Sequence, residues 1–223
     1  MNFQLQKLSD LEKIDSFFQL DYDNGYKYID VAGAILTDLK KEHNIKIFDI
    51  NVNQLAVQSW DNELLKVGVR SVWMHFTKID SFDQILSKFK KNYKVCLKNI
   101  GIDEITRIWW RNYFLYKLNK KEDVKDFFDE IFVNKTDVEF NTLSGSFDYK
   151  DWIQSNINIQ YVKHKDKEEY WILFDIDMYK LWKFTLEASD NIMDSIVKFY
   201  HNDWDLIPFL NKFFTTKKGT DEK

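Results

Sequence analysis

Cysteine, proline and glycine are scarce in this chain of 223 residues, which contains one cysteine, one proline and six glycines. The lone Cys96 excludes an intramolecular disulfide, a zinc site built from cysteines and a Cys-x-x-Cys redox pair. The shortage of glycine and proline argues against an all-β sandwich with many tight turns. No Gly-x-Gly pattern occurs, which excludes the dinucleotide-binding and phosphate-loop motifs.

Long apolar runs and a strong charge of either sign are also absent. The opening MNFQLQKLSDLEK has no apolar segment of signal-peptide length, and no uncharged run is long enough to cross a bilayer. The formal net charge of −4 gives no bulk attraction to nucleic acid or to an anionic membrane. We therefore expect a cytoplasmic protein that does not contact a membrane, and nucleic acid is a less favoured partner.

Aromatic residues, by contrast, make up 17% of the chain, so the core should be packed mainly by rings. Helical and strand patterns both occur, and they predict one α+β domain over residues 1–223. We expect a mainly antiparallel, curved sheet with helices packed on one face and a frayed tail at 216–223. A strand, link and helix at 72–89 recur at 174–200, which indicates two related halves at about 1–118 and 119–215.

Periodicity assigns the elements along the chain. Helices are predicted at 11–18, 30–39, 81–89, 122–132 and 192–200, with a further helix starting near Leu206. Strands are predicted at 44–60 with a break near Asn51, at 63–77 with a β-bulge at 70–72, at 94–99 and at 104–118. A hairpin is predicted at 156–181, with its turn at 165–169.

The stretch ITRIWWRNYFLYKL, residues 105–118, divides by parity if it is extended. One face is nearly all apolar and belongs under helices; it carries Thr106, Ile108, Trp110, Asn112, Phe114, Tyr116 and Leu118. The other face alternates guanidinium groups with rings and carries Ile105, Arg107, Trp109, Arg111, Tyr113, Leu115 and Lys117. Arginine stacks well on tryptophan and tyrosine, so this second face has the composition of a binding surface.

A later strand, WILFDIDMY, places Asp175 and Asp177 on one of its faces. Two interpretations follow. The two arginines, Arg107 and Arg111, could pair with these carboxylates in a salt-bridged structural layer. Alternatively, the same groups could line a concavity that binds an anionic or aromatic partner. The candidate binding residues are Arg107, Trp109, Arg111, Tyr113, Asp175 and Asp177.

No catalytic constellation is recognisable in the sequence. Asp175 and Asp177 could ligate Mg²⁺, since alternate strand residues project side by side, but no convincing third carboxylate or lysine accompanies them. The four histidines are scattered, and His75, which lies in a strand, is expected to be a satisfied histidine rather than a general base. We therefore predict no catalytic residue, no metal and no cofactor.

Two motifs carry a resemblance to a known family. Residues 105–108 and Arg111 match a strand that reads roughly Ile-Thr-Arg-Leu-Gly-Leu-Arg-Tyr-Ile-Asn, residues 175–177 match a later Asp-Ile-Asp strand, and His201 lies in a carboxy-terminal helical segment. In these features the chain resembles a sporadically distributed family of uncharacterised bacterial proteins, over about residues 45–215. The chain departs from that pattern at Trp109, Asn112 and Phe114, where the family has Gly, Tyr and Asn. The resemblance implies an α+β fold and a bacterial or phage-borne origin, and it implies no reaction.

The functional prediction is a non-enzymatic protein that acts by binding another protein or by self-association. Exposed rings favour such interfaces, and an inhibitor, immunity or defence-associated role fits a sporadic family. One alternative is a small-ligand or nucleic-acid-binding module that uses the Arg107 to Tyr113 face. A second alternative is a metal-dependent enzyme built on Asp175 and Asp177.

Overall fold

The computed structural model describes residues 11–59, 63–77, 79–131, 142–148, 152–163 and 169–201, and the single residues 7, 208 and 210. The strands within these ranges are β1 (Glu12–Asp21), β2 (Ile45–Ile50), β3 (Gln54–Ser59), β4 (Leu64–Gly68), β5 (Ser71–Phe76), β6 (Glu104–Leu118), β7 (Thr142–Asp148), β8 (Gln154–Lys163) and β9 (Tyr170–Thr185). The helices there are α1 (Tyr28–Glu42), α2 (Phe82–Ile100), α3 (Asp123–Ile131) and α4 (Leu186–His201).

The described strands form one nine-stranded antiparallel sheet in the order β2-β3-β4-β5-β1-β6-β9-β8-β7. The long strands β6 and β9 pair along almost their whole length, and β1 lies on the other side of β6. The α+β class and the antiparallel sheet predicted from the sequence are confirmed. The centre of the sheet is therefore β1, flanked by β5 and β6.

Aromatic contacts attach the described helices to one face of the sheet. Phe89 of α2 stacks on Phe18 of β1 at 4.9 Å between ring centroids, and Tyr200 of α4 lies 4.9 Å from Trp110 of β6. On the β9 side, α3 reaches the same face through an edge contact between Phe127 and Phe174, and α1 packs against α2 and β3. The core lies between the helices and this face, and aliphatic side chains outnumber rings in it, so the expectation of a core packed mainly by rings is wrong. Each fully buried large apolar side chain adds about 1.5–3 kcal/mol.

Strand β6 has the predicted parity from Arg107 onward. The placement of Ile105 on the other face is wrong, because Ile105 is fully buried and the pairing with β9 shifts register between Ile105 and Arg107. Ile108, Trp110 and Phe114 are fully buried under the helices, and the Trp110 indole N–H donates to Ser16 Oγ at 2.6 Å. The intervening side chains are half-buried on the opposite face. The predicted helix α1, the α3 helix, the broken strand at 44–60 and the β8–β9 hairpin are also present.

The helix predicted at 11–18 is wrong, because these residues belong to the central strand β1. Ser16, Phe18 and Leu20 are buried at a period of two, whereas the helical reading used Leu11, Phe17 and Phe18. Pairing with strands on both sides satisfies the backbone here, so tertiary contacts override the local capping signal.

The β-bulge predicted at 70–72 is also wrong, since the chain reverses there. Strands β4 and β5 pair as a hairpin, with Val67 opposite Val72. The change of face that looked like a bulge is the consequence of this turn.

The strand predicted at 94–99 is wrong as well, because helix α2 continues to Ile100. Tyr93, Cys96 and Leu97 extend the buried helical stripe. The helix ends at Gly101, which has a φ of 80°, and the Gly101 N–H donates to the Leu97 carbonyl at 2.8 Å. This is a glycine C-cap, which needs the left-handed conformation.

Strand β7 was not predicted, and the helix predicted near Leu206 lies largely outside the described residues. The order of the described elements is similar in two series. A strand, a helix, a meander and a second helix occur as β1-α1-β2-β3-β4-β5-α2 and as β6-α3-β7-β8-β9-α4, but the first meander has four strands and the second has three. In each series the last strand lies beside the first, and the two first strands, β1 and β6, are neighbours.

Candidate functional site

The open face is the side of the sheet opposite the helices, and it collects the predicted binding residues. On β6 it carries Arg107, Trp109, Arg111 and Tyr113; on β9 it carries Asp175, Asp177 and Tyr179. The register places Arg111 opposite Asp177 and Tyr113 opposite Asp175. The structure therefore brings all six predicted residues together on two adjacent strands.

A bidentate ion pair fixes the centre of this face. The Arg111 Nε–H and Nη2–H groups donate to the two carboxylate oxygens of Asp175 at 2.7 and 2.6 Å. These hydrogen bonds raise the pKa of Arg111 above its ordinary value, although burial works in the opposite direction. The Arg111 guanidinium also lies 5.2 Å from the Tyr113 ring centroid. The salt-bridged interpretation is therefore correct for this arginine.

Arg107 is held less tightly than Arg111. Its Nη1 is 3.6 Å from Asp21 Oδ2, and its guanidinium lies 5.5 Å from the Trp109 ring and 6.0 Å from the Tyr179 ring. Its Nε is buried and has no hydrogen-bond partner. Arg107 thus retains donor capacity that the protein does not use.

Asp177 has an unusual carboxylate for an open sheet face. Its Oδ1 is buried without a hydrogen-bond partner. Burial raises its pKa to about 6, and the positive charges of Arg111 and Arg107 only partly oppose that rise. The Trp109 indole lies near enough to lower the pKa of Asp177 somewhat, yet its Nε1 has no partner at hydrogen-bond geometry. Trp109 and Asp177 therefore present a donor and an acceptor with unused capacity.

Sequence reasoning missed the contribution of β1, because this segment was assigned to a helix. Asp15 Oδ1 lies at hydrogen-bond distance, 2.7 Å, from His75 Nε2, and Phe17 stacks on the His75 ring at 4.2 Å. His75 is therefore a partnered histidine, as expected. In the sequence, the alternation of Phe18 and Leu20 with Gln19 and Asp21 was the only signal for this strand.

The central row crosses five strands of the open face. The register aligns Trp73 of β5, Gln19 of β1, Trp109 of β6, Tyr179 of β9 and Gln154 of β8. Adjacent strands are about 4.8 Å apart, so the row spans roughly 19 Å. It presents three rings and two amides rather than a line of charges.

Amides and hydroxyls continue the face on β7 and β8. Ser144 Oγ donates to the Asn158 amide oxygen at 3.0 Å, and Ser146 Oγ donates to Asn156 at 2.7 Å. Asn156 and Asn158 lie opposite Asp177 and Asp175. This side of the open face is mainly hydrogen-bonding, and Asp148 at the end of β7 adds one carboxylate to it.

Nothing in the described ranges assembles three or more His, Cys, Asp or Glu side chains in a way that could hold a metal ion. Asp175 is already engaged by Arg111, which leaves Asp177 as a single carboxylate. None of the helices in those ranges is both long enough and apolar enough to cross a membrane. The arrangement can bind through rings, amides and oriented charges.

Comparison with protein-family models and with curated proteins finds no match for this chain.

Proposed function

We propose that this is a non-enzymatic binding protein whose open sheet face binds another protein. The observation that carries the proposal is the central row, with Trp73, Trp109 and Tyr179 half-buried beside Arg107 and Arg111. Tryptophan, tyrosine and arginine are the residues that contribute most to binding energy at protein interfaces. A flat row of rings suits a broad partner surface.

The charge of the open face favours protein over nucleic acid. Arg111 is neutralised by Asp175, and Arg107 lies beside Asp21. Nucleic-acid surfaces need cations that are free to replace the counterions of phosphates. Paired charges between rings instead supply orientation and specificity for a protein partner.

We propose a different protein as the occupant of this face. A two-fold pairing would instead put the same patch on both subunits, and the oligomeric state in solution distinguishes the two cases.

The similar order of elements in the two series gives a second reason to place the binding site on the open face. We propose that two halves are related, with the boundary moved from about residue 118, where the sequence placed it, to about residue 102, so that β1 and β6 occupy equivalent positions. Binding sites often lie where two structural units meet. The meeting line of these halves runs along the β1–β6 pair, through Phe17 and Arg111.

The cellular setting is proposed from the sequence. A cytoplasmic protein of bacterial or phage origin with an inhibitor, immunity or defence-associated role fits a stable chain that has a binding face and no recognised catalytic group.

Affinity capture from the native host tests the proposal if it is run with paired variants. The tagged protein is compared with Trp109→Ala combined with Tyr113→Ala and with Lys125→Ala, an exposed change on helix α3. We expect one dominant protein with the wild type and the α3 variant, and at least a tenfold loss with the open-face variant. Equal capture by all three would place the interface elsewhere, and sedimentation as a stable dimer would make the partner a second copy.

A further inference from the structure

A pocket of about 270 Å³ opens on the rim of the open face, between the β2–β3 turn and the β4–β5 turn. Its polar lining consists of Asn53, Gln54, Lys66, Arg70, Ser71 and Trp73. Ligand pockets usually begin at about 300 Å³, so this one suits a compact ligand. It lies beyond the Trp73 end of the central row.

Hydrogen bonds from the segment that follows β1 hold the turn that carries Arg70. The Tyr22 N–H donates to the Arg70 carbonyl at 2.9 Å, and the Tyr22 hydroxyl donates to the Gly68 carbonyl at 2.6 Å. The Gly25 N–H donates to the Val69 carbonyl at 3.1 Å. These contacts tie the whole β4–β5 turn to the segment that follows β1.

The opposite wall of the pocket is equally defined. Asn51 Oδ1 accepts from the backbone N–H groups of Asn53 and Gln54 at 2.9 and 3.0 Å. The two turns touch at Gly68, where a β-carbon would lie 2.5 Å from the Asn53 carbonyl oxygen. Preformed walls reduce the ordering cost of binding.

The pocket has a local positive charge in a chain of negative net charge. Lys66 and Arg70 line it, and no carboxylate does. Within the described ranges neither cation has a carboxylate at ion-pair distance. The Lys66 ammonium instead lies 5.0 Å from the Trp73 ring centroid. The neighbouring Asp21 is already occupied by Gln19 and Arg107.

We propose that this pocket binds a mononucleotide, with its phosphate between Lys66 and Arg70 and its base on the Trp73 ring. Arginine recognises phosphate through parallel N–H donors, and lysine adds a point charge. Aromatic rings stack on any nucleobase. Ser71 and Gln54 supply further hydrogen-bonding groups. The site is separate from the proposed protein interface except at Trp73.

A 5′-terminal nucleotide of a nucleic-acid strand has the same chemistry. A free mononucleotide is the better ligand, because the central row offers no track of unpaired cations for a following phosphate chain.

Calorimetric titration of the full chain with AMP, adenosine and inorganic phosphate tests the pocket. AMP should bind at least tenfold more tightly than adenosine or phosphate, since only AMP uses both the cations and the ring. Lys66→Gln and Arg70→Gln should each weaken AMP binding at least fivefold, and Lys125→Gln should leave it unchanged. Trp73→Leu should reduce AMP affinity to that of phosphate.

Two results would overturn the assignment: no binding of AMP by the folded wild type, or an AMP affinity in both Lys66→Gln and Arg70→Gln that equals the affinity of the wild type. Both variants change exposed or half-exposed side chains, so the test stands if Trp73→Leu does not fold. A 5′-phosphorylated oligonucleotide that binds tenfold more tightly than AMP would support the chemistry and identify a strand end as its source. Loss of AMP binding without loss of partner capture separates this pocket from the protein interface.

Discussion

Asp177 keeps a carboxylate where burial opposes its charge, while its strand neighbour Asp175 is neutralised by Arg111. Two acids only two residues apart therefore have different roles. Asp175 holds the arginine in place, and Asp177 is the group whose charge the fold tolerates least well. A binding partner that donates a hydrogen bond to Asp177 would relieve that cost.

The raised pKa of Asp177 makes stability depend on pH. Because the folded-state pKa is about 6 and the ordinary value is 3.8, the folded protein holds this proton more tightly than the unfolded chain. That contribution is fully present below about pH 4 and is lost as pH rises through 6. Asp177→Asn imitates the protonated form, so we expect it to stabilise the protein by about 1–2 kcal/mol at pH 8, after discounting for partial exposure.

Urea unfolding of both proteins at pH 8 and pH 4 measures this difference. The gain should largely vanish at pH 4. Asp103→Asn, at an exposed position, serves as the control and should change stability by less than about 0.5 kcal/mol at either pH. A gain that is independent of pH would show that Asp177 does not titrate as described.

The Arg111–Asp175 pair should contribute measurable coupling. Its side chains are 36% and 12% exposed, which places it between a surface pair and a buried one. A double-mutant cycle with Arg111→Met and Asp175→Ala should give about 1 kcal/mol, because bidentate geometry strengthens a partly screened pair. A coupling energy near zero would show that the Arg111–Asp175 pair does not stabilise the open face.

At the scale of elements, the β4–β5 turn depends on the absence of a side chain at Gly25. A β-carbon there would lie 2.4 Å from the Val69 carbonyl oxygen and 2.6 Å from the Tyr22 ring. We expect Gly25→Ala to destabilise the protein by about 1–3 kcal/mol, since backbone atoms must move. The same change should weaken AMP binding by loosening the pocket wall.

Gly33→Ala is the matched control for this prediction. Nothing lies within 4 Å of a β-carbon at that helical position. It should therefore stabilise the protein by about 0.5–1 kcal/mol in thermal or urea unfolding. If Gly25→Ala were as stable as Gly33→Ala, the close packing of the turn would be contradicted.

The elements also show what a sequence can predict. Strand β6 was predicted correctly because its apolar residues Ile108, Trp110 and Phe114 all fall on one face of an extended chain. The same alternation predicted that Arg107 and Arg111 share the open face. Strand β1 was not predicted, because its burial pattern is decided by β5 and β6, which are distant in the sequence. The β4–β5 turn lacks an Asn-Gly or Asp-Gly signal, so a reversal at Val69 and Arg70 resembled a bulge.

In the candidate site, too, local alternation predicts some features and contacts between distant segments decide the others. The six side chains on β6 and β9 were predicted, since both strands alternate clearly. The pairing of Arg111 with Asp175 rather than with its direct neighbour Asp177 depends on side-chain reach across the register. The pocket that contains Lys66 and Arg70 exists because the β2–β3 and β4–β5 turns meet at Gly68. No local sequence pattern predicts that two separate turns will meet.

At the scale of the whole molecule, one sheet contains all the described strands, and its most protected part should be its centre. Strands β1 and β6 are paired on both sides, whereas β2 and β7 lie at the edges of the described sheet. Native-state hydrogen exchange should therefore be slowest at Phe18 and Trp110 and fastest along β2 and β7. Rapid exchange throughout β1 would contradict its central position.

Site-specific photo-crosslinking tests the open face as the protein-binding surface most directly. A benzophenone amino acid is placed at Gln154, at the β8 end of the central row, or at Lys125 on α3. Both positions are exposed, so neither probe should disturb the core. The account predicts a crosslink to one protein from position 154 and none from position 125. A crosslink from position 125 alone would contradict it.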